Sequence, residues 1–434
     1  MKCFHNGRVL TMNSTGEVHE KGYVLVEDSR IVAVGSGDPP DEGVKERIDA
    51  EGGIIMPGMV NSHTHIAMAL FRSMADDRKD RLRKVLFPLE ARAVTPELVY
   101  HASLHATLEL IRGGVTTIAD MYYFEHECAR ATAEAGLRGV MGETIVNFSA
   151  PDAEEPYGGI DYTRGFLSDW RDHPLITPAI APHAPYTVDD AHLVESADFA
   201  EAEGIPIMMH LAEMPFEVEG IRSEHGVSPV RHMGDIGFLR SNLVAAHCVF
   251  TDGEDHRLLR ERGVGVAHNI TANLKGGKGV APVPAMVEAG LRVGLGSDGP
   301  MSGNRLDILS QMREVAHVHK GVGRDPTILP ARRIAELATV GGARALHMEE
   351  RIGSLEPGKE ADIVVVSTDD PALTPLHDPW SVLVYGANAD NVRHTMVAGR
   401  LLMRERRIEH LDTEAILARS REIGADLGRF VAGL

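Results

Sequence analysis

Titratable side chains follow six apolar, strand-like runs in the middle of the sequence. His63 and His65 stand two positions apart in "VNSHTH", which puts both side chains on one face of an extended strand. The other runs end in His183 ("APHAPY"), His210 ("MMHLAE"), His247 ("AAHC"), His268 and Asn269 ("VAHN"), and Asp298 ("GLGSDG"). One such histidine is most often a packed residue, but six strand ends of this kind favour a shared site. Three histidines and a carboxylate suit zinc or iron(II).

These runs belong to a repeated pattern of apolar and helix-like segments. The eight apolar segments are "GMVNSHTH", "VTTIADM", "LRGVMGET", "LITPAIAPHAPY", "IPIMMHLAE", "NLVAAHC", "GVGVAHN" and "LRVGLGSDG". Eight strand–helix units predict a closed (β/α)8 TIM-type barrel, whose chemistry lies at the carboxyl ends of the strands. A doubly wound open sheet is the alternative, but no GxGxxG pattern follows the first strand. "KGGKG" at 275–279 lacks the Ser or Thr of a phosphate-binding loop and is interpreted as a mobile loop.

Both ends of the chain have the texture of short β-strands. Apolar and polar residues alternate between turn signals in "RVLTMN" and "YVLVEDSRIVAVGSG", and again late in the chain in "ADIVVVSTDD" and "VRHTMVAGRLLMRERRI". The two segments are expected to pair across the barrel in one small β-sandwich domain. The predicted division is residues 1–57 and 355–405 for this domain, 58–354 for the barrel, and 406–434 for a C-terminal helical tail.

Composition narrows the class of protein. The 434 residues carry 44 Lys and Arg against 63 Asp and Glu, a net charge of −19. Nucleic acid and anionic membranes are therefore unfavourable partners, since both require basic patches. Three scattered cysteines indicate neither a disulfide framework nor a cysteine zinc site. No apolar signal core or membrane-length apolar stretch is evident, so the cytoplasm is the expected location.

A set of motifs resembles the amidohydrolase superfamily. They are "PGMVNSHTH", "GGVTTIADMYY", "APHAPYT", "IMMHLAE", "AAHCV", "HNITANLK" and "GSDGPMSGN". Within the superfamily the chain is similar to 5′-methylthioadenosine/S-adenosylhomocysteine deaminases, chlorotriazine hydrolases and related base deaminases. The resemblance extends from the first strands to about residue 405. Barrels of this group often associate, which leaves a homo-oligomer open.

The resemblance implies one divalent metal ion, with zinc as the first expectation and iron as the second. Its expected ligands are His63, His65, His210 and Asp298. Binuclear members of the superfamily bridge two metals with a carboxylated lysine from the barrel. This chain has no lysine between Lys84 and Lys275, so the second to sixth strands cannot supply one. A mononuclear site is therefore predicted.

The resemblance also implies catalytic roles. A metal with an open position lowers the pKa of bound water toward neutrality, and Asp298 is expected both to bind the metal and to accept a hydrogen bond from that water. His247 would orient the water or stabilise developing negative charge. Glu213 corresponds to the proton shuttle of other zinc deaminases; the alternative is a surface carboxylate that opens the next helix. An acid at this position favours deamination over dehalogenation, because triazine chlorohydrolases of the group can lack it.

Three further positions match substrate contacts of the nucleoside deaminases. Glu90 in "FPLE" corresponds to an acid that holds ribose hydroxyls, His183 to a histidine that contacts the substrate, and Ser302 in "DGPMSGN" to a nearby polar contact. Simpler alternatives are a helix-start charge for Glu90, which the helix dipole favours, and a turn residue for Ser302.

Two positions depart from the family pattern. The loop "MADDRKDRLRK" before Glu90 contains no aromatic residue where the family usually has a tryptophan that packs on the nucleoside, and Ile160 stands in place of a family arginine. Without that ring, a weaker preference for bulky apolar 5′ groups is expected. The basic segment 78–84 is either a solvated helix face or a site for an anionic substituent.

The sequence therefore predicts a metal-dependent hydrolytic deaminase of an amino-substituted N-heterocycle, with an adenosine-type nucleoside as the leading substrate. Alternatives are a deaminase of a free purine, pyrimidine or pterin base, and a triazine-type hydrolase. A catalytically silent barrel that binds a metabolite is the alternative outside enzymes. The metal ligand set, together with Glu213 and His247, argues against the last of these.

Overall fold

Sixteen strands form two sheets in residues 1–79 and 81–431, which the computed structural model describes. They are β1 Lys2–Leu10, β2 Val18–Glu27, β3 Arg30–Ser36, β4 Glu46–Asp49, β5 Ile54–Pro57, β6 Met59–Thr64, β7 Val115–Tyr122, β8 Arg138–Ile145, β9 Ile176–Pro182, β10 Ile207–Leu211, β11 Leu243–His247, β12 Gly265–His268, β13 Arg292–Leu295, β14 Ile363–Val366, β15 Val392–Val397 and β16 Arg400–Met403.

Sixteen α-helices accompany these strands in the same residues. They are α1 Phe87–Ala93, α2 Pro96–Arg112, α3 Glu125–Ala135, α4 Gly159–Trp170, α5 Asp190–Glu203, α6 Pro215–His225, α7 Pro229–Asp235, α8 Gly253–Arg262, α9 Ile270–Lys275, α10 Val283–Glu288, α11 Pro300–Gly303, α12 Ile308–Gly323, α13 Ala331–Glu336, α14 Gly342–Ala345, α15 Pro379–Ser381 and α16 Thr413–Val431. Short 3-10 turns lie at Ile66–Phe71 and Ala389–Asn391, and π-helical turns at Leu82–Leu86, Leu337–Gly341 and Val382–Gly386. Within these described residues, no helix is long and apolar enough to cross a bilayer.

The barrel is formed by eight parallel strands in the order β6 to β13, with helices between them. All eight apolar runs identified in the sequence become these strands, so the (β/α)8 prediction is confirmed. The ring closes where β13 returns to β6: the Asp298 N–H donates to the His63 carbonyl (3.0 Å), and the Ser297 N–H donates to the Asn61 side chain (3.0 Å). Closure therefore places the first and last strand ends side by side.

Apolar packing inside and outside the barrel explains the sequence pattern. Every residue of β7 and β8 is buried, since parallel barrel strands are covered on both faces. Small and medium side chains such as Ala119, Ala181 and Val244 fill the interior, and Met348 and Ile352 pack against the same cluster. The helices begin and end at expected signals: the Asp189 side chain caps α5 by accepting from the His192 N–H (3.0 Å).

The terminal segments build the second, mixed sheet. Its order is β16-β15-β14-β5-β1-β2-β3, with β4 paired to β1, and it encloses a small core of its own around Phe4, Val24 and Ile363. The buried Arg138 guanidinium of β8 donates two hydrogen bonds, each 3.2 Å, to the Asp362 carboxylate before β14. This bidentate ion pair joins the sheet to the barrel. The domain boundaries drawn above stay a prediction, and residues 432–434 of the tail lie outside the described residues.

Candidate metal centre and active site

Four side chains at the carboxyl ends of three strands converge on one point: His63 and His65 at β6, His210 at β10, and Asp298 in the loop after β13. The Nε2 atom of His65 lies 3.3 Å from the Asp298 Oδ1 atom and 3.3 Å from the His210 Nε2 atom, and the His63 Nε2 atom lies 4.0 Å from the same Asp298 oxygen. Two ligand atoms that share a tetrahedral zinc at about 2.1 Å each are about 3.4 Å apart. The spacing of this cluster therefore fits one small cation.

The chain also sets which ring nitrogens face the cluster. The Nδ1–H of His65 donates to the Met121 carbonyl of β7 (2.5 Å), and the Nδ1–H of His210 donates to the His183 carbonyl (2.8 Å). Both rings therefore present an unprotonated Nε2 to the cluster, which is the usual arrangement of metal-binding histidines. The buried His63 Nε2 has no protein partner among the described residues. The Nε2 atoms of these three histidines and the Asp298 carboxylate match the ligand types that zinc takes.

Asp298 adopts a backbone conformation that side-chain-bearing residues rarely take. Its φ is +58°, and that of His247 is +74°. Such strained residues persist only where surrounding bonds hold them, and they cluster at functional sites. Thr64 and His63 hold Asp298: the Thr64 hydroxyl donates to its carbonyl (3.2 Å), and its N–H donates to the His63 carbonyl. Burial alone would raise the pKa of Asp298, but the charges of His247 and Lys278 outweigh burial and lower it, so the carboxylate is ionised.

Glu213 and His247 lie beside this cluster. The His247 Nε2 atom is 3.5 Å from the Glu213 Oε1 atom and 4.0 Å from the Asp298 Oδ2 atom, while its Nδ1–H donates to the Asn273 side-chain oxygen (2.8 Å). Burial alone would raise the pKa of Glu213, but the charges of His247 and Lys278 lower it to about 2. Glu213 is thus an ionised acceptor at the edge of the cluster.

A second glutamate, which sequence reasoning missed, supports the turn that carries Glu213. The Glu217 carboxylate of α6 accepts from the N–H groups of Ala212 (2.6 Å) and Glu213 (2.9 Å), and it is buried. It occupies the third position of the helix after Met214, where an acid satisfies free N–H groups. The sequence does show an acid four residues after Glu213 at a predicted helix start, but it does not show that this acid is buried.

The substrate-contact candidates share one cavity of about 560 Å³ with the cluster. Its lining includes Glu90, His183 and Ser302, as well as His65, His210, Glu213, His247 and Asp298. Glu90 is only 5% exposed, and the Tyr122 hydroxyl donates to its carboxylate (2.7 Å). Burial raises the pKa of Glu90 to about 7 against this hydrogen bond. His183, whose Nδ1 lies 2.8 Å from the Thr187 hydroxyl, has its pKa lowered to about 4 by burial.

Aromatic rings reach the cavity from elements other than the loop before Glu90. Tyr122, Tyr186, Phe87 and Phe216 line it, and the Tyr186 and Phe216 rings meet edge to face at 5.0 Å. The Arg83 guanidinium lies 5.1 Å from the centre of the Phe216 ring. Surfaces for stacking a heterocycle are therefore present although the loop itself has no aromatic residue.

Two of the strand-end residues lie apart from the cavity. His268 is fully buried, with its Nε2 atom 3.4 Å from the His319 Nε2 atom of α12, and Asn269 is buried behind His247 with a long 3.5 Å contact to its Nδ1. Neither residue is in the cavity lining. His268 is therefore a packed residue and not part of the site, because the chain at the end of the seventh barrel strand directs it toward α12.

The segment "KGGKG", which was interpreted as a mobile loop, begins at the last residue of α9 and continues as a hydrogen-bonded turn. α9 ends at Lys275, and Gly277 takes a left-handed φ of +64°. The Lys278 N–H donates to the Asn273 carbonyl (2.9 Å) and the Gly277 N–H to the Leu274 carbonyl (3.0 Å), which is a Schellman motif. This turn directs Lys278 into the cavity, where its ammonium pairs with Glu213. Sequence reasoning missed Lys278.

The site as a whole combines a cation-binding cluster, an ionised acid and a cavity lined by aromatic, apolar and charged side chains. Such a site can activate water at one end and hold a heterocycle between the cluster and Glu90. The arrangement suits hydrolysis of a polar substituent on a ring, because the acid and the cluster face the same space.

Comparisons with known proteins agree with this chemistry. The model of the amidohydrolase family matches residues 54–402. A 5-methylthioadenosine/S-adenosylhomocysteine deaminase of Syntrophobacter fumaroxidans is 41% identical over 422 residues, 96% of each chain. A 5′-deoxyadenosine deaminase of Methanosarcina mazei is 38% identical over 428 residues, 97% of each chain. An adenosine deaminase of Xanthomonas campestris, solved with bound zinc, superposes with a TM-score of 0.96 at 32% identity, covering 99% of this chain and 98% of that one.

Proposed function

Because this chain belongs to the amidohydrolase family, we propose that it is a zinc-dependent deaminase of an adenosine-type nucleoside. The observation that carries the proposal is the position of Glu213. Its carboxylate is 3.5 Å from His247 and faces the same cavity as the cluster and Glu90. The relatives named as deaminases of methylthioadenosine, S-adenosylhomocysteine, 5′-deoxyadenosine and adenosine support the substrate class.

The metal would be held by one carboxylate and three imidazoles. The residues are His63, His65, His210 and Asp298: the ligand atoms of His63, His65 and Asp298 lie within 4.8 Å of one another, and the His210 Nε2 atom lies 3.3 Å from that of His65. When bound, zinc acts as a Lewis acid that makes a water molecule nucleophilic near neutral pH. His247 stands next to this group and serves to orient that water through its Nε2, because its Nδ1–H is committed to Asn273.

The reaction replaces an exocyclic amino group by oxygen. A carbon–oxygen bond forms at the amino-bearing ring carbon, the carbon–nitrogen bond breaks, and ammonia leaves. One water proton ends on the adjacent ring nitrogen and the other on the ammonia. Glu213, ionised in the free protein, takes the first proton and delivers it to the ring nitrogen, which is the work of a placed acid–base group.

The far end of the cavity would hold the sugar. Glu90 is positioned by Tyr122 and would accept hydrogen bonds from a ribose diol, while His183 and Ser302 line the same cavity and would contact the heterocycle. A carboxylate that bonds two hydroxyls discriminates against a ligand that lacks one, because a buried hydrogen bond to a charged group contributes about 1.5–3 kcal/mol. That corresponds to about 10- to 100-fold in kcat/KM for each missing hydroxyl.

The decisive experiment is ammonia release from the zinc-loaded protein across a substrate panel. The panel contains adenosine, 5′-methylthioadenosine, 5′-deoxyadenosine and S-adenosylhomocysteine, together with guanine, cytosine and a carboxylated pterin. We expect the nucleosides to turn over. If only a free base or the pterin reacts, the nucleoside assignment fails, and if none reacts with a stoichiometric metal present, the chain is a binding protein.

A matched comparison tests the sugar contact within the panel. With 2′- and 3′-deoxyadenosine we expect slower turnover than with adenosine, and Glu90→Ala should narrow that difference. Ser310→Ala on α12 provides a control, because the Ser310 hydroxyl bonds only to the Asp307 carbonyl in the described structure. If the ratio of the rates for adenosine and its deoxy analogues is unchanged in Glu90→Ala, Glu90 is a buried structural acid and does not contact the sugar.

A further inference from the structure

Lys278 brings a positive charge into direct contact with the acid proposed to move protons. Its Nζ donates to the Glu213 Oε1 atom, and both side chains are largely buried, with 13% and 11% of their surfaces exposed. A buried ammonium is costly unless it is paired, so this contact is a fixed feature of the site and not a surface ion pair. No sequence motif or relative's name assigns a role to this residue.

One residue of α9 holds both of the groups that lie beside the Glu213 Oε1 atom. The Asn273 side-chain oxygen accepts from the His247 Nδ1–H at 2.8 Å, and its backbone carbonyl accepts from the Lys278 N–H at 2.9 Å. The His247 Nε2 atom then lies 3.5 Å from Oε1 on one side and the Lys278 ammonium contacts Oε1 on the other. Oε1 is therefore held by the Lys278 ammonium, which is anchored through Asn273 to the same short helix as the His247 ring.

The other carboxylate oxygen is left for the substrate. Within the described residues, Glu213 Oε2 receives no hydrogen bond, and it is not fully enclosed by protein atoms. It therefore faces the cavity that Glu213 lines. We propose that Lys278 is a positioning residue that holds Glu213 Oε1 and thereby aims Oε2 at the ring nitrogen of the substrate. This inference rests on the proposed proton transfer by Glu213.

A different function of Lys278 would have a different geometry. A lysine that only closes the cavity mouth would pair with rim groups, as Lys275 does: its Nζ lies 2.6 Å from Asp76 Oδ1 and 3.2 Å from the Met301 carbonyl. The Lys278 ammonium instead contacts the Glu213 carboxylate inside the cavity. A misplacement of about 1 Å in a catalytic group costs on the order of 10²-fold in rate, so the contact is expected to act on kcat.

The test replaces Lys278 and then restores its charge. In Lys278→Cys, bromoethylamine converts the thiol into an aminoethyl thioether, which matches lysine in length and charge. Cys3, Cys128 and Cys248 are buried, so the reaction is selective, and the wild type treated in the same way is the control. We expect kcat to fall about 10- to 100-fold in Lys278→Cys with zinc content unchanged and KM within about 3-fold, and to recover after aminoethylation. Complete modification, checked by mass, without recovery of kcat overturns the proposal.

A crystal structure of zinc-loaded Lys278→Met gives a readout that needs no substrate. We expect the Glu213 carboxylate to leave its wild-type position or to occupy more than one. A carboxylate that stays in place in this variant refutes the positioning role even if the panel identifies no substrate. Failure of the whole panel, by contrast, refutes the proposed function and leaves this structural comparison to decide the role of Lys278.

Discussion

Glu90 carries a carboxyl group at a place where its charge is unfavourable for folding. It is 5% exposed, and the single described hydrogen-bond partner of its carboxyl group is the Tyr122 hydroxyl at 2.7 Å. Burial raises its pKa from 4.5 to about 7, and the hydrogen bond only partly offsets that effect. Glu90→Gln keeps the shape and the acceptor oxygen but removes the ionisation. We therefore expect the variant to be more stable than the wild type above neutral pH.

The sign and size follow from proton linkage. An acid whose pKa is higher in the folded state binds its proton more tightly when folded, so its contribution to stability is complete below about pH 4.5 and is lost as the pH rises through about 7. The difference between those two values corresponds to about 3 kcal/mol, at about 1.4 kcal/mol for each tenfold change. Part of this loss occurs below pH 5, so relative to Glu90→Gln the wild type should lose about 2.5 kcal/mol between pH 5 and pH 8.

Urea unfolding of both proteins at pH 5 and pH 8, at equal zinc content, measures the effect. Glu155→Gln is the control, since Glu155 is exposed in the loop before α4. Stability differences between wild type and Glu90→Gln that are equal at the two pH values would refute the reasoning. If the variant is also slower on nucleosides, Glu90 has been kept for binding at a cost in stability, which is common at functional sites.

Three other predictions concern the metal, the acid and the cavity mouth. His65→Ala should lose zinc and activity together, because the remaining ligands bind more weakly, and elemental analysis that finds two metals per active chain would contradict a mononuclear site. Glu213→Gln should keep its zinc while kcat falls on the order of 10²–10⁴-fold, and an equal loss of zinc would identify Glu213 as a ligand. Arg83→Glu should lower kcat/KM for substrates with an anionic 5′ group more than for adenosine, by a margin that shrinks with added salt; an equal loss for both would show that Arg83 acts by packing on Phe216.

Much of the barrel could be predicted because its strands leave a strong trace in the sequence. β7 and β8 are buried along their whole length, and their sequences are largely apolar runs. Such runs are typical of strands that are covered on both faces of the sheet. Parallel topology then forces the residues after each run to one rim, so His63, His210 and Asp298 could be grouped without distances. His268 shows the limit of that rule, because the same position after β12 turns away toward α12.

The contacts that complete the site depend on geometry that the sequence does not encode locally. Lys278 enters the cavity because Gly277 is left-handed, and the glycine-rich segment is equally compatible with an irregular loop. The Tyr122 hydroxyl of β7 bonds to Glu90 of α1, and these two elements are not adjacent in the chain. Glu217 looks like any acid in a first helical turn until its burial is known. The sequence shows which residue types stand at these positions, but it does not show which groups they contact.

The composition of the cavity mouth bears on which 5′ group is preferred. The loop before Glu90 lacks an aromatic residue, and on that basis the sequence predicts a weak preference for bulky apolar groups. In the structure, Phe216 and Tyr186 provide rings from elsewhere, with the Arg83 guanidinium 5.1 Å from the Phe216 ring centre. A thioether tail can pack on these rings, whereas a carboxylate-bearing tail can also pair with the cation. The preference therefore depends on whether the bound substrate displaces Arg83 from Phe216, and the ratio of rates for 5′-methylthioadenosine and S-adenosylhomocysteine at low and high salt separates the two contributions.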